Sequence, residues 1–266
     1  MVNNFVIDHV LRGIMTKKNG EYMWSINQIT NPSLNVALSD TAQAVDALGT
    51  VIQEFDRGRS AEFGAENSIF DLSLYAAQMG RDVEVADGTV VNGVKNVITV
   101  PAFETIDVTG AETYVTKKSP KEPIAKIYLL NGDGTLGKAF AAGTAASADE
   151  FAYAEDTHTI SLPTGLEKGV QLFVMYEYES EKATAVTANA IDFPKSGVFR
   201  MEVLGTSVCD PDTLIHAFVE FPNAKLDGNV DFTFATDGTH PFTIRAMQDY
   251  CDKEKKLFSI IIPEEE

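Results

Sequence analysis

Gly132-Asp133-Gly134-Thr135-Leu136-Gly137 matches the spacing of a nucleotide-binding loop, G-x-G-x-x-G, and follows the apolar run Ile124 to Leu130. In a dinucleotide fold such glycines let a pyrophosphate approach the backbone where a helix begins. Here that helix would have only Lys138 to Ala142 before Gly143-Thr144, and no second parallel strand follows at the right distance. The stretch reads as a hairpin turn. Asn131, Asp133 and Thr135 also open like a calcium loop, but Leu136 and Ala142 stand where that loop needs a glycine and a bidentate acid. His9, His158, His216 and His240 include no pair at helical spacing and no H-E-x-x-H, so structural roles are expected, with His216 in mid-strand and His240 in a turn before Pro241. Cys209 and Cys251 lie far apart and form no C-x-x-C; they read as free, at least half-buried thiols rather than metal ligands or a disulfide. There is no G-x-S-x-G nucleophile elbow. A glycosidase pair would meet only in the fold, and the sequence singles none out. No catalytic residue, cofactor or metal is expected.

The totals narrow the classes further. The 266 residues carry 39 acids against 21 bases, a formal charge of −18. Gripping a duplex needs clustered Lys and Arg to neutralise phosphates, so this balance argues against it and fits a surface that repels an anion. At 44% hydrophobic residues the chain has ample material for a core. Met1-Val2-Asn3-Asn4 opens without a basic leader, and no apolar run is long enough to span a bilayer. A soluble, cytoplasmically made protein is expected.

The elements that would position these residues are mostly strands. Residues 5–16 fit a helix or a strand. Tyr22 to Ile26, Leu34 to Leu38 and Thr50 to Phe55 read as strands, and Ser39 to Leu48 as a helix or a long loop. Residues 68–79 predict a helix: Ser68 caps it with Asp71 three residues on, Ile69, Leu72, Ala76 and Met79 share a face, and Gly80 stops it. Lys117 to Pro123, with two prolines and four charges, reads as a linker. The sequence therefore predicts a mainly β chain: an antiparallel sandwich or barrel core with one packed helix and an inserted small β-domain. Residues 1–118 and 183–266 form the discontinuous core, and residues 123–182 form the insertion. The end reads as a meander: Val230 to Phe234, a positive-φ turn at Asp237-Gly238, Phe242 to Ala246, then Leu257 to Ile262 before Pro263.

Tyr22 to Val36, Asp46 to Ile52, and the helix ending Ala76-Ala77-Gln78-Met79-Gly80 resemble the major tail (tail tube) proteins of tailed bacteriophages. Val174 to Tyr178, Phe193-Pro194, Phe221 to Leu226 and the terminal strands agree with it. The resemblance implies a structural virion protein with no reaction and no cofactor. Subunits would join into stacked rings, hexameric in that family, around an acidic β-lined conduit through which DNA passes without specific binding. The partners implied are other copies of the chain and the tape-measure, tail-tip and tail-terminator proteins, with assembly in the host cytoplasm and no membrane. Within that frame Gly49 to Phe63 is expected to project as an inter-ring or inter-subunit hairpin, with Asp56, Arg57, Gly58, Arg59 and Ser60 as its contact residues. Two readings compete: a capsid decoration or head protein, and a carbohydrate-binding β-sandwich using Trp24, Tyr153, Tyr176 and Tyr178.

Overall fold

The computed structural model describes residues 4–208, 210–250 and 253–263; Cys209 and Cys251 lie outside them. Strand takes up 56% of the chain and helix 4%, so the fold is mainly β with one α-helix, as expected. The chain divides into two compact units, Met1–Val83 with Val186–Glu266, and Glu84–Ala185. In chain order the first unit contributes β1 (Phe5–Thr16), β2 (Tyr22–Ile26), β3 (Ile29–Val45), β4 (Val51–Asn67) and α1 (Leu72–Gln78). The second contains β5 (Glu84–Ala86), β6 (Val90–Val91), β7 (Val94–Lys95), β8 (Ile98–Asp107), β9 (Thr113–Val115), β10 (Lys126–Leu130), β11 (Leu136–Gly143), β12 (Glu150–Ala154), β13 (Thr159–Ser161), β14 (Gln171–Ser180) and β15 (Ala183–Ala185). The first unit resumes with β16 (Ser196–Ser207), β17 (Asp210–Leu226), β18 (His240–Ala246) and β19 (Ser259–Ile261).

In the first unit an eight-stranded sheet runs β2-β1-β16-β17-β18-β4-β3, with β19 beside β17. Its curled inner face holds Trp24, Phe63, Phe199, Phe221 and Phe242, and the single tryptophan packs against Phe199 and Phe242. Leu74 of α1 joins this core. Residues 5–16, open between helix and strand in the sequence, form a strand because β16 pairs with them along nearly their whole length. Residues 39–45, read as a helix or loop, are the outer half of β3. The opposed residues of β4 dictate this, since alanine and aspartate there have no strong preference of their own.

The helix begins at Leu72, later than the sequence suggests. Asp71, not Ser68, is the cap, and its carboxylate accepts the Leu74 N–H at 2.9 Å. Its end is as read: Gly80 at φ 73° lets Gly80 N–H reach Ala77 O and Arg81 N–H reach Ala76 O, a Schellman closure. The terminal meander is only partly present. Val230 to Phe234 form no strand; Phe232 turns into a ring cluster with Phe70, Tyr75, Phe234 and His240 instead. Gly238 lacks a positive φ, and is glycine because a Cβ there would lie 2.1 Å from Thr233 O. His240 is the buried first residue of β18, not part of a turn.

The second unit has a seven-stranded sheet, β8-β14-β10-β11-β12-β13-β9, antiparallel except for β11 beside β12. Ile127, Phe140, Phe151, Ile160, Leu172 and Val174 fill its core. The G-x-G-x-x-G stretch is the β10–β11 hairpin, closed by Asn131 N–H to Thr135 O and Gly134 N–H to Asn131 O, with Gly134 at φ 82°. Residues 117–121 run along this sheet. Lys117 N–H donates to Glu104, Lys118 N–H to the Tyr176 hydroxyl and Lys121 N–H to Glu177 O.

Candidate assembly surface

The longest feature of the first unit is the β3–β4 hairpin. Two strands of 17 residues are paired from Ile29 and Asn67 out to Val45 and Val51. Asp46 builds the turn: its carboxylate accepts the Leu48 and Thr50 N–H groups at 2.9 and 2.8 Å, and Gly49 supplies φ 85°. Only Glu62–Asn67 of β4 pair with β18, and β3 is the end strand of the sheet. Beyond Ala61 the two strands therefore pair with each other alone. Leu38, Val45, Leu48, Val51, Ile52 and Phe55 on this arm are exposed, Leu48 at 91%. A two-stranded ribbon with bare apolar side chains is marginal in water on its own, which makes the arm the candidate assembly surface of this unit.

Asp56, Arg57, Gly58, Arg59 and Ser60 all sit on the β4 side of the arm, within a strand rather than a loop tip. Asp56 faces Thr41, Gly58 faces Asp40, Arg59 faces Leu38 and Ser60 faces Ala37; Arg57 is the extra residue of a bulge. Arg57 and Arg59 differ from the remaining arginines. Of the six in the chain, Arg12, Arg81, Arg200 and Arg245 each meet a carboxylate, on Glu202, Asp192, Glu220, and both Glu62 and Asp227 respectively. Among the described residues Arg57 and Arg59 meet none, and both are exposed.

The solvent face of the large sheet carries three of those pairs as cross-strand rungs. Arg12 lies opposite Glu202, Arg200 opposite Glu220 at 2.6 Å, and Arg245 opposite Glu62 at 3.3 Å. His216 adds a bond to Glu202 at 2.8 Å. The Arg12 bond, helped by His216, holds the Glu202 carboxyl below its ordinary range. Such exposed pairs add little stability, about 0–1 kcal/mol each, but they occupy three of this face's guanidiniums, while Lys225 opposite Arg245 stays exposed. Glu66 adds a further acid.

Other clusters read as structural. Glu104 is buried, with 5% exposure, and accepts from Tyr114 Oη at 2.7 Å, from Tyr176 Oη and from Lys117 N–H at 3.0 Å. It ties β8 to β9, the two edge strands of the second sheet. Burial, then the bond to Glu104, pushes the Tyr114 phenol up to about 12. His240 accepts the Asp71 N–H at Nδ1 and donates from Nε2 to Gln78 Oε1 at 2.8 Å, pinning α1 to β18. Trp24 and Tyr176, two of the four aromatics of the sugar-platform reading, are buried in the cores, which removes them from any binding surface. Among the described residues no group of three His, Cys, Asp or Glu is placed to hold a metal, and no helix is long and apolar enough to cross a membrane.

A family model described as the YomU/Tube protein family matches residues 5–260. The chain belongs to this phage tube family. The match spans both units, so the second unit is part of what the YomU/Tube model describes. No curated protein matches the chain. Membership of the YomU/Tube family makes the chain a structural tail component of a phage and directs attention to its exposed strands rather than its clefts. The length of the arm is not legible in the sequence because residues 39–45 show no clear apolar–polar alternation, and the arginine pairs follow from strand register alone.

Proposed function

We propose that this chain is the tube-forming subunit of a phage tail. Copies join into closed rings, hexameric by family resemblance, and the rings stack into a hollow conduit for DNA. The observation that carries this reading is the β3–β4 arm, a long apolar ribbon with no partner strand outside the sheet. Repetition of one heterologous contact by identical subunits generates rings and stacks. The neutralised arginines of the sheet's solvent face support a lining role for that face: a conducted polyanion meets Glu62, Glu202 and Glu220 with the neighbouring guanidiniums already occupied. The subunit carries out no reaction and needs no cofactor. Its partners are its own copies and the tape-measure, tail-tip and tail-terminator proteins, met in the host cytoplasm. The unit Glu84–Ala185, which contains residues 123–182, is proposed to act as an inserted module. Deleting Arg57 to Ser60 tests the reading: assembly should stop while the Trp24 core stays folded, and normal assembly by the deletion variant would count against it.

A further inference from the structure

From charge and position we infer that the arm's free arginines, Arg57 and Arg59, dock into a three-acid depression at the base of the same hairpin on a second copy. This rests on the tube reading and names the receptor it requires. The depression encloses about 370 Å³ and is lined by Glu66, Asp231, Phe232, Thr233, Asp237, Gly238, Thr239 and Pro241. Three acidic residues and one aromatic residue are among those that border it. Among the described residues Asp231 and Asp237, both exposed, bond to no cation, and the Glu66 side chain has only a 3.3 Å bond from the Asn31 amide. The acids are not grouped to hold a metal. A planar guanidinium suits them, because it bonds a carboxylate through two parallel N–H groups and can stack on a ring.

The apolar surroundings match as well. Beside the depression Phe70 is 50% exposed and Phe234 90% exposed, forming one ring cluster with Phe232. The arm carries Phe55, 47% exposed, two residues from Arg57. The occupant must come from another copy. Arg57 lies nine strand positions beyond Glu66 on β4, roughly 30 Å at the ordinary rise per residue, and β3 pairing keeps the strand extended. Because arm and receptor are different surfaces, the contact is heterologous and repeats from copy to copy along the arm.

A charge exchange on the full chain tests this, with assembly followed by light scattering and electron microscopy. R57D/R59D and D231R/D237R should each raise the concentration at which assembly begins, by about tenfold or more per broken pair. All four substitutions together should bring it back toward wild type. The changed side chains are exposed, and Trp24 fluorescence checks that each variant is folded. Wild-type assembly with no rescue in the fourfold variant would overturn the receptor assignment and leave the tube reading standing. A wild-type protein that never assembles would overturn both.

Discussion

Replacing Glu104 should loosen the second unit by an amount its hydrogen bonds foretell. The carboxylate serves three donors, the Tyr114 and Tyr176 hydroxyls and the Lys117 N–H, from a position with 5% exposure. A buried donor left without a partner costs about 1–3 kcal/mol. The Tyr114 hydroxyl is near enough to solvent to recover part of this, and removing the carboxylate relieves its own desolvation. Glu104→Ala should therefore cost about 3 kcal/mol, a large share of the roughly 5–15 kcal/mol that holds a domain together. Glu104→Gln keeps the shape and one acceptor and should cost about 1–2 kcal/mol. Amide exchange at Lys117, whose N–H donates to Glu104, is the direct assay. It should quicken in both variants, far more in the alanine, while Trp24, in the core of the first unit, reports whether that unit is disturbed. Tyrosine titration gives a second readout: Tyr114 should fall from about 12 in either variant, yet stay above its ordinary value because burial is the larger cause. Unchanged exchange at Lys117 in Glu104→Ala would refute this reasoning.

Two further predictions concern α1. Burial lowers the His240 pKa, with the Asp71 charge opposing, so the folded state favours the neutral ring. The unfolded chain then binds more protons, and the stability this residue contributes should be lost as pH falls below about 6.5. Urea midpoints read by Trp24 fluorescence at pH 7.5 and 5.5 should show the drop in wild type and a smaller one in His240→Gln; equal slopes would exclude the histidine as the cause. Gly80→Ala should destabilise the first unit by at least about 2 kcal/mol, since φ 73° is strained for alanine and the new Cβ would lie 2.3 Å from Phe193 O. A urea midpoint within error of wild type would show that the backbone there yields more easily than its packing implies.

Local chemistry made some of this structure legible and hid the rest. Gly80 and Gly134 hold the positive φ that a helix end and a hairpin turn require, and the sequence shows both. The hairpin turn at Gly132 to Gly137 is equally plain, because it needs only local residues. Ser68 and Asp71 fit one capping pattern three residues apart, so the sequence alone places Asp71 inside the helix that it in fact caps. Phe232 and Phe234 alternate as a strand would, but their rings pack on Phe70 and His240, a partnership set by tertiary contact. Residues 39–45 carry only Thr41 and Val45 as strand formers and are strand because Val51 to Gly58 lie opposite. The pairing of four arginines, and the lack of it at Arg57 and Arg59, depends on side chains up to 190 residues apart and has no signature in the sequence.

Negative-stain electron microscopy of the purified, concentrated protein beside its Arg57 to Ser60 deletion addresses the central claim most directly. Stacked rings or hollow tubes in wild type, with dispersed folded subunits in the deletion variant, are the predicted result. A wild-type protein that remains a discrete particle of fixed small size at every concentration would contradict the account.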